Sequence, residues 1–398
     1  MKILMLNYEF PPLGGGAGNA TNNISRNLVE RGHQVTVLTS GYGRFPKTEL
    51  KEGVRILRVP AIRNSIHDCG FKGALSYVAF ALPRFIQLYA RERFDILHYF
   101  FSMPTGLLSL VPGVFKNTPY IVSLRGSDVP GYDVYNRPVH LFHKVLKPLN
   151  RYIWRKAGAV VALSESLKHT ALKTSPDLRI DVIANGVEID LFRPLDGLKD
   201  DRCGMSLITV SRLINRKGID MVLKALHEIN DPTIRLLIVG EGNYKSQLMS
   251  LAEKLDLSDR VTFYGHCPRE DLPALYNRAS VFILPSFAES FGMVFAEAMA
   301  CHLPIIGSKV GGVVDLVRPE NGILVPIGDV EMIKAAILKL KNASQLRMQM
   351  GKNSRKRVEL HYSWASTGAR YEAVYQRVLG YCSKDTQGIS GEALALLD

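Results

Sequence analysis

Val281-Phe-Ile-Leu284-Pro285-Ser-Phe-Ala-Glu289-Ser-Phe-Gly292-Met-Val-Phe-Ala-Glu297-Ala-Met-Ala-Cys-His-Leu-Pro304-Ile-Ile-Gly307 is the stretch from which the fold follows. Val281 to Leu284 is a short apolar run, the length of a buried strand, and it leads into a turn at Gly292. A helical pattern over 294–300 leaves the turn. Strand, glycine turn and helix in that order form half of a parallel α/β unit. Glu289 falls in the loop, and Glu297 about one turn inside the helix. A helix start near Gly292 offers free backbone N–H groups and a positive dipole end, which suits a phosphate. Each carboxylate can accept hydrogen bonds from paired hydroxyls, as a sugar or a ribose presents. A phosphate seat between two hydroxyl clamps fits a sugar nucleotide. Glutamate is common, and a bare pair at this spacing would equally describe a surface loop followed by a solvated helix face.

The same alternation runs outward along the chain. Strands are predicted over 2–6, 34–39, 54–59, 96–99, 120–124 and 160–163, with a helix over 22–31 that ends at Gly32. The pattern restarts with a strand over 206–210 and a helix over 218–229. It continues with a strand over 234–239, a helix over 244–254, and strands over 261–264, 281–284 and 304–306. Two rounds of this kind predict an α/β chain with parallel sheets covered by helices on both faces. The polar stretch 196–204 suits the linker between them. At 398 residues and 46% hydrophobic, the chain is long and apolar enough for two cores. Open sheets of this type bind ligands beyond the C-terminal ends of their strands.

Three loops that follow strands carry the chemistry. Phe10-Pro-Pro-Leu-Gly14-Gly15-Gly16-Ala-Gly18-Asn19 lets backbone N–H groups approach a phosphate closely; a plain flexible turn is the alternative. A dinucleotide fingerprint does not fit. The glycines are spaced Gly14-x-Gly16-x-Gly18, and the second strand ends Leu38-Thr39-Ser40 without an acid for a ribose. Val210-Ser-Arg212-Leu213-Ile-Asn-Arg216-Lys217-Gly218 places Arg212 and Lys217 where both could meet a diphosphate and stabilise charge on a leaving group. Alone, they would read as solvated surface cations. Ser123-Leu-Arg125-Gly126-Ser-Asp128 offers a permanently charged guanidinium, unable to shuttle a proton but suited to a phosphate or carboxylate. Asp128 could orient Arg125 or an acceptor hydroxyl, and a local ion pair between the two is the alternative. His266 has no partner at metal-ligand spacing, and no Asp-x-Asp triplet occurs anywhere, so no metal site is predicted.

Taken together, Glu289-x7-Glu297, Pro11-Pro12 with Gly15-Gly16, Arg212-Leu213 with Lys217-Gly218, and Asn321-Gly322 resemble glycosyltransferase family 4, the retaining glycosyltransferases of GT-B fold. The resemblance covers the chain from the glycine loop to about Tyr362. It implies two Rossmann-like domains facing across a cleft: 1–198 on the acceptor side and 199–362 for the nucleotide sugar. A helix over 363–380 would cross back to the first domain, and 381–398 would be a mobile tail. The implied reaction is sugar transfer from a nucleoside-diphosphate sugar to a glycan, lipid-linked or small-molecule acceptor. Retention would come from same-face attack, the leaving phosphate helping to take the acceptor proton. No cofactor beyond the donor substrate is implied. Glu289 would hold the donor sugar hydroxyls, Glu297 the ribose, and Arg212 with Lys217 the diphosphate. Backbone at Gly15, Gly16, Phe291, Gly292, Met293 and Val294 would line the phosphate and sugar seat. The turn at Gly265-His266 would meet the nucleobase, and Asn321-Gly322 would help close the donor pocket. Two departures stand out: Gly18 replaces an acid or amide common in relatives, and Arg125 stands where many carry histidine.

The charge is lopsided. Residues 1–195 carry 25 Lys and Arg against 14 Asp and Glu, a net +11, whereas 196–398 carry 25 against 23, a net +2. A basic first half points to an anionic partner. The stretch 136–156 holds six cations and no acid, interleaved with Leu141, Phe142, Val145, Leu146, Leu149, Tyr152, Ile153 and Trp154. It reads either as an interfacial element on an anionic membrane or as a helix with its apolar face in the core, interrupted at Pro148. The segment 71–93, with Glu92 its only acid, adds to the membrane reading. The apolar run over 74–82 is too short to span a bilayer. Five cysteines, an odd count and widely spaced, predict free thiols and a reducing, cytoplasmic setting, and the first residues read as a strand rather than a signal peptide. Two rivals share parts of this pattern. A sugar-nucleotide epimerase would bind the same donor without an acceptor. A nucleic-acid binder would explain the charge, but no recognition helix or RNP-type motif is present.

Overall fold

The computed structural model describes residues 1–66, 69–111, 118–132, 141, 145–195, 197–198 and 204–380, apart from the Phe71 side chain. Most of the expected linker (196 and 199–203), much of 136–156 (136–140 and 142–144), Cys203, Cys382 and the expected tail 381–398 lie outside these residues.

The first sheet has eight strands: β1 Lys2–Leu6, β2 Gln34–Ser40, β3 Thr48–Lys51, β4 Val54–Val59, β5 Ile96–Phe100, β6 Tyr120–Leu124, β7 Ala159–Ala162 and β8 Ile180–Val182. Their order is β3-β4-β2-β1-β5-β6-β7-β8, parallel except for β3. The second sheet has six: β9 Met205–Val210, β10 Ile234–Val239, β11 Val261–Gly265, β12 Val281–Leu284, β13 Ile305–Ser308 and β14 Gly322–Val325. Its order is β11-β10-β9-β12-β13-β14, all parallel. In each sheet the chain winds outward one way, then returns past its first strand and winds the other way. That reversal leaves a crevice beside β1 in one domain and between β9 and β12 in the other.

The strands predicted from apolar runs are present, most within one residue at either end. β3, β8 and β14 were not predicted. β3 reads Thr-Glu-Leu-Lys and is an exposed antiparallel edge, with no apolar run to betray it. The first helix, α1, spans Gly16–Glu30 and starts six residues before the predicted helix over 22–31. The glycine run reads as a breaker, yet Gly15 is the N-cap and Gly16 the first helical residue. The next helix, α2 Gly70–Arg91, continues through Pro83. Tyr77, Ala81, Phe85 and Leu88 form one buried face along it, and that burial outweighs the single backbone hydrogen bond that proline removes.

In 136–156 the described helix is α3, Lys147–Lys156, with Pro148 in its first turn, where a missing N–H costs nothing. Ile153 and Trp154 enter the core, as the core reading expects, while Leu141, Val145 and Tyr152 are 62%, 68% and 54% exposed. The helix after β7 is α4, Glu165–Leu172. The second domain adds α5 Ile219–Ile229, α6 Lys245–Lys254, α7 Leu272–Arg278, α8 Met293–Ala300, α9 Val313–Leu316, α10 Val330–Asn342 and α11 Ser344–His361. The last helix, α12 Trp364–Val378, packs against α1. Its Trp364, Tyr371, Val374 and Tyr375 share a core with Ile3, Met5, Ile24 and Ile121 of the first domain. Glu372 pairs with Arg31 and His33, and Arg377 with Asp181. The chain therefore crosses between domains twice, and the crossings touch: Val187 N donates to Tyr362 O at 2.7 Å, and Val187 bridges Ser363.

Candidate active site

Two loops of the second domain meet at its crevice. Lys217 closes a tight turn after β9, and Gly218 follows at φ 68°. A Cβ on Gly218 would lie 2.3 Å from Pro285 O, so only glycine allows the two loops this approach. Phe287 N donates to Arg216 O at 2.8 Å and joins them. The result is an ion pair between Lys217 Nζ and Glu289 Oε1, both side chains 13% exposed. Ser286 Oγ donates to the same carboxylate oxygen at 3.0 Å.

Behind Glu289 stands a glycine pair that the motif reading passed over. Gly312 N donates to Glu289 O at 3.1 Å, and a Cβ on Gly311 would fall 1.6 Å from that oxygen. Two adjacent glycines just after β13 were the available signal. Gly292, at φ 93°, caps α8 with no side-chain cap and no acid in the first turn. Phe295 N and Ala296 N bond back to Gly292 O, and the N–H groups of Met293 and Val294 stand before them with no helical partner. Phe291 contributes backbone only, since its ring is buried against Tyr362. Arg212 is exposed at the end of β9, and its side chain has no hydrogen bond or ion pair among the described residues. Two cations, a carboxylate and a helix N-terminus thus share one crevice, an arrangement suited to a negatively charged group carrying hydroxyls.

Glu297 sits apart from that cluster. It lies inside α8, 2% exposed, with Oε1 paired to Arg269 and Oε2 accepting from Tyr276 OH at 3.4 Å. Burial pushes its carboxyl up and Arg269 opposes the rise. Asn321 is fully buried and staples its own loop, accepting from Arg318 N at 2.6 Å and donating to Leu316 O at 3.3 Å.

The first domain differs from expectation. Gly15 N donates to Glu9 Oε2 at 3.3 Å, so that amide is held by the chain's own carboxylate, and Gly16 belongs to α1. Burial raises the Glu9 carboxyl, with Arg63 and Arg212 opposing. Asp128 is 1% exposed and binds backbone: Oδ1 accepts from Arg125 N and Gly126 N, Oδ2 from Ser102 N, at 2.7–3.0 Å. Arg125 is 6% exposed and turns the other way, over the Phe100 ring and onto Asn185 Oδ1 at 2.9 Å and Tyr371 OH at 3.4 Å. Burial lowers its pKa. Asp128 thus holds the Arg125 backbone through its N–H, while the Arg125 guanidinium reaches Asn185 and Tyr371. The loop they share still borders the crevice, since a Cβ on Gly126 would lie 3.1 Å from Ser290 Cβ.

Two parallel α/β domains with this crevice define the GT-B class of fold. Sucrose-phosphate synthase from Thermosynechococcus elongatus superposes with a TM-score of 0.82 at 23% identity, over 96% of this chain and 100% of that one. An Anabaena protein solved in complex with UDP gives 0.77 at 19% identity, over 95% and 100%. In sequence, an uncharacterized glycosyltransferase of Methanocaldococcus jannaschii is 27% identical over 397 residues, 94% of this chain and 98% of the relative. The family described as Glycosyltransferase Family 4 matches residues 14–191, and Glycosyl transferases group 1 matches 205–357. The chain belongs to the family 4 glycosyltransferases.

Proposed function

We propose that the protein transfers a sugar from a nucleoside-diphosphate donor to a glycan, lipid-linked or small-molecule acceptor with retention at the anomeric carbon and without a metal. The observation that carries this reading is the Lys217–Glu289 pair beside the bare N-terminus of α8. The two side chains neutralise each other. A donor would enter between them, its sugar hydroxyls donating to Glu289 and its diphosphate meeting Lys217, Arg212 and the N–H groups of Met293 and Val294. As the glycosidic C–O bond breaks, charge grows on the diphosphate oxygens, and fixed cations stabilise it there. The acceptor oxygen attacks from the same face, and its proton passes to the departing diphosphate. Glu297 would take the ribose. The UDP complex of the Anabaena neighbour supports a nucleoside diphosphate in this fold. Incubation with UDP-, GDP- and ADP-sugars, following nucleoside diphosphate release, tests the reading. One donor class should release its diphosphate when an acceptor is added. Conversion of a donor to an isomeric sugar nucleotide without release would favour an epimerase instead.

The acceptor side of this reading involves a membrane. The net +11 of residues 1–195, the exposed Leu141, Val145 and Tyr152 and the cations of α3 support docking of the first domain on an anionic lipid surface. Leu75, Phe80 and Ile86 are also exposed along α2. Among the described residues no helix is long and apolar enough to cross a membrane, so the association would be peripheral. Co-sedimentation should rise with anionic lipid content and fall with salt. Equal, negligible binding to neutral and anionic vesicles at low salt would remove the membrane from the account.

A further inference from the structure

Glu297 holds a buried carboxylate whose only cation among the described residues is Arg269, and Arg269 has further contacts. Its Nε donates to Glu188 Oε2 at 3.2 Å, and its guanidinium lies 4.8 Å from the centre of the Phe192 ring. Neither residue belongs to the donor loops. Both lie on the segment that carries the chain from the first domain to the second, directly after the contact of Val187 with Tyr362 and Ser363. That segment is itself held to the second domain: Asn277 Oδ1 accepts from Leu195 N at 2.8 Å, and Arg355 donates to Ile189 O and Phe192 O. Arg269 therefore joins Glu297 to a fixed support. A guanidinium gripped at two nitrogens cannot rotate freely, and a lysine could not make both contacts in one plane.

We propose that Arg269 is a positioning residue for ribose recognition, holding the Glu297 carboxylate ionised and in one rotation while Glu188 and Phe192 hold Arg269. This rests on the reading of Glu297 as the ribose clamp. Burial pushes the Glu297 carboxyl up and Arg269 opposes that rise, so removing the cation favours the protonated form, which has one acceptor fewer for the ribose hydroxyls. Arg269 lies four residues beyond Gly265, on the loop where the family resemblance implies the nucleobase.

The test is calorimetric binding of UDP, GDP and ADP, each against its 2′-deoxy counterpart, to the full chain. For the base it accepts, the wild type should prefer the ribo form by about tenfold, the worth of one charge-assisted hydrogen bond. Glu297→Gln should reduce that preference to about twofold, and Arg269→Ala should do the same. Within the Glu297→Gln background, Arg269→Ala should then leave the ratio unchanged. General loosening of the site would weaken both forms alike and leave the ratio intact. A full preference in Arg269→Ala, with its loss in Glu297→Gln, would overturn the proposal and leave the ribose reading standing. A full preference in Glu297→Gln, or none in the wild type, would overturn both. Should Arg269→Ala fail to fold, Arg269→Lys carries the test: the preference should fall to a few-fold, and an undiminished one counts against the role.

Discussion

The two domains wind their sheets in the same way and use the resulting crevices in opposite ways. In the second domain, the ends of β9 and β12 present Arg212, Lys217, Glu289 and the start of α8 to the cleft. In the first, the ends of β5 and β6 are filled by the protein itself. Arg125 lies over the Phe100 ring and bonds to Asn185 and Tyr371, and His98 bonds to Tyr375 OH at 2.8 Å and Ser123 Oγ at 2.7 Å. Burial holds the His98 imidazole neutral, its pKa well below the usual value. A shared topology thus says where a ligand can sit, while the side chains at the strand ends decide whether one does.

The comparison breaks most visibly at Lys217. Lys217→Ala should lower kcat by about 100-fold with a smaller change in nucleotide affinity, because the diphosphate charge it meets grows in the transition state. An effect confined to KM would put Lys217 in ground-state binding. Arg125→Met should do the reverse. Asn185 and Tyr371 lose a buried donor, so stability should fall by about 2 kcal/mol while kcat changes less than twofold. A large loss of kcat in a variant that melts like the wild type would return Arg125 to the acceptor site. Glu289→Gln keeps the shape and removes the charge. A fall of about tenfold in kcat is expected, and unchanged steady-state kinetics would take Glu289 out of the site. The smallest effect should come from chelation: EDTA is expected to leave turnover unchanged, and loss restored by Mg²⁺ or Mn²⁺ would contradict a cation-only diphosphate seat.

Legibility in the sequence followed the same division. The strands and helices around Glu289 could be read from apolar runs and glycines, because both sheets are buried on both faces and their strands are short and continuous. The meeting of Lys217 with Glu289 could be read only as two motifs. What joins them is the approach of Gly218 to Pro285, a contact between residues far apart in the chain. Arg125 was read at the end of its strand, but the direction of its side chain was not legible there. Its direction is set by Asn185 and by Tyr371, on a helix that begins more than two hundred residues later. Glu9 lay in plain view before Pro11-Pro12 and was passed over, because its role depends on the loop folding back to offer Gly15 N. β3 was invisible for a simpler reason: an exposed edge strand needs no apolar pattern.

The return of α12 to the first domain has a consequence for how the protein is made. By the time residue 162 leaves the ribosome, the sequence of β1 to β7 and α1 has emerged, yet the part of the hydrophobic face that receives Trp364, Tyr371 and Tyr375 still lacks its helix. At roughly 5–20 residues per second, the missing helix arrives on the order of 10–40 seconds later. During that interval the second domain can complete its own sheet, whereas the first waits with an open apolar face beside a histidine that has yet to meet Tyr375. The half of the chain synthesised first is thus the half finished last, and the nascent protein's need for chaperones should be greatest in its opening two hundred residues.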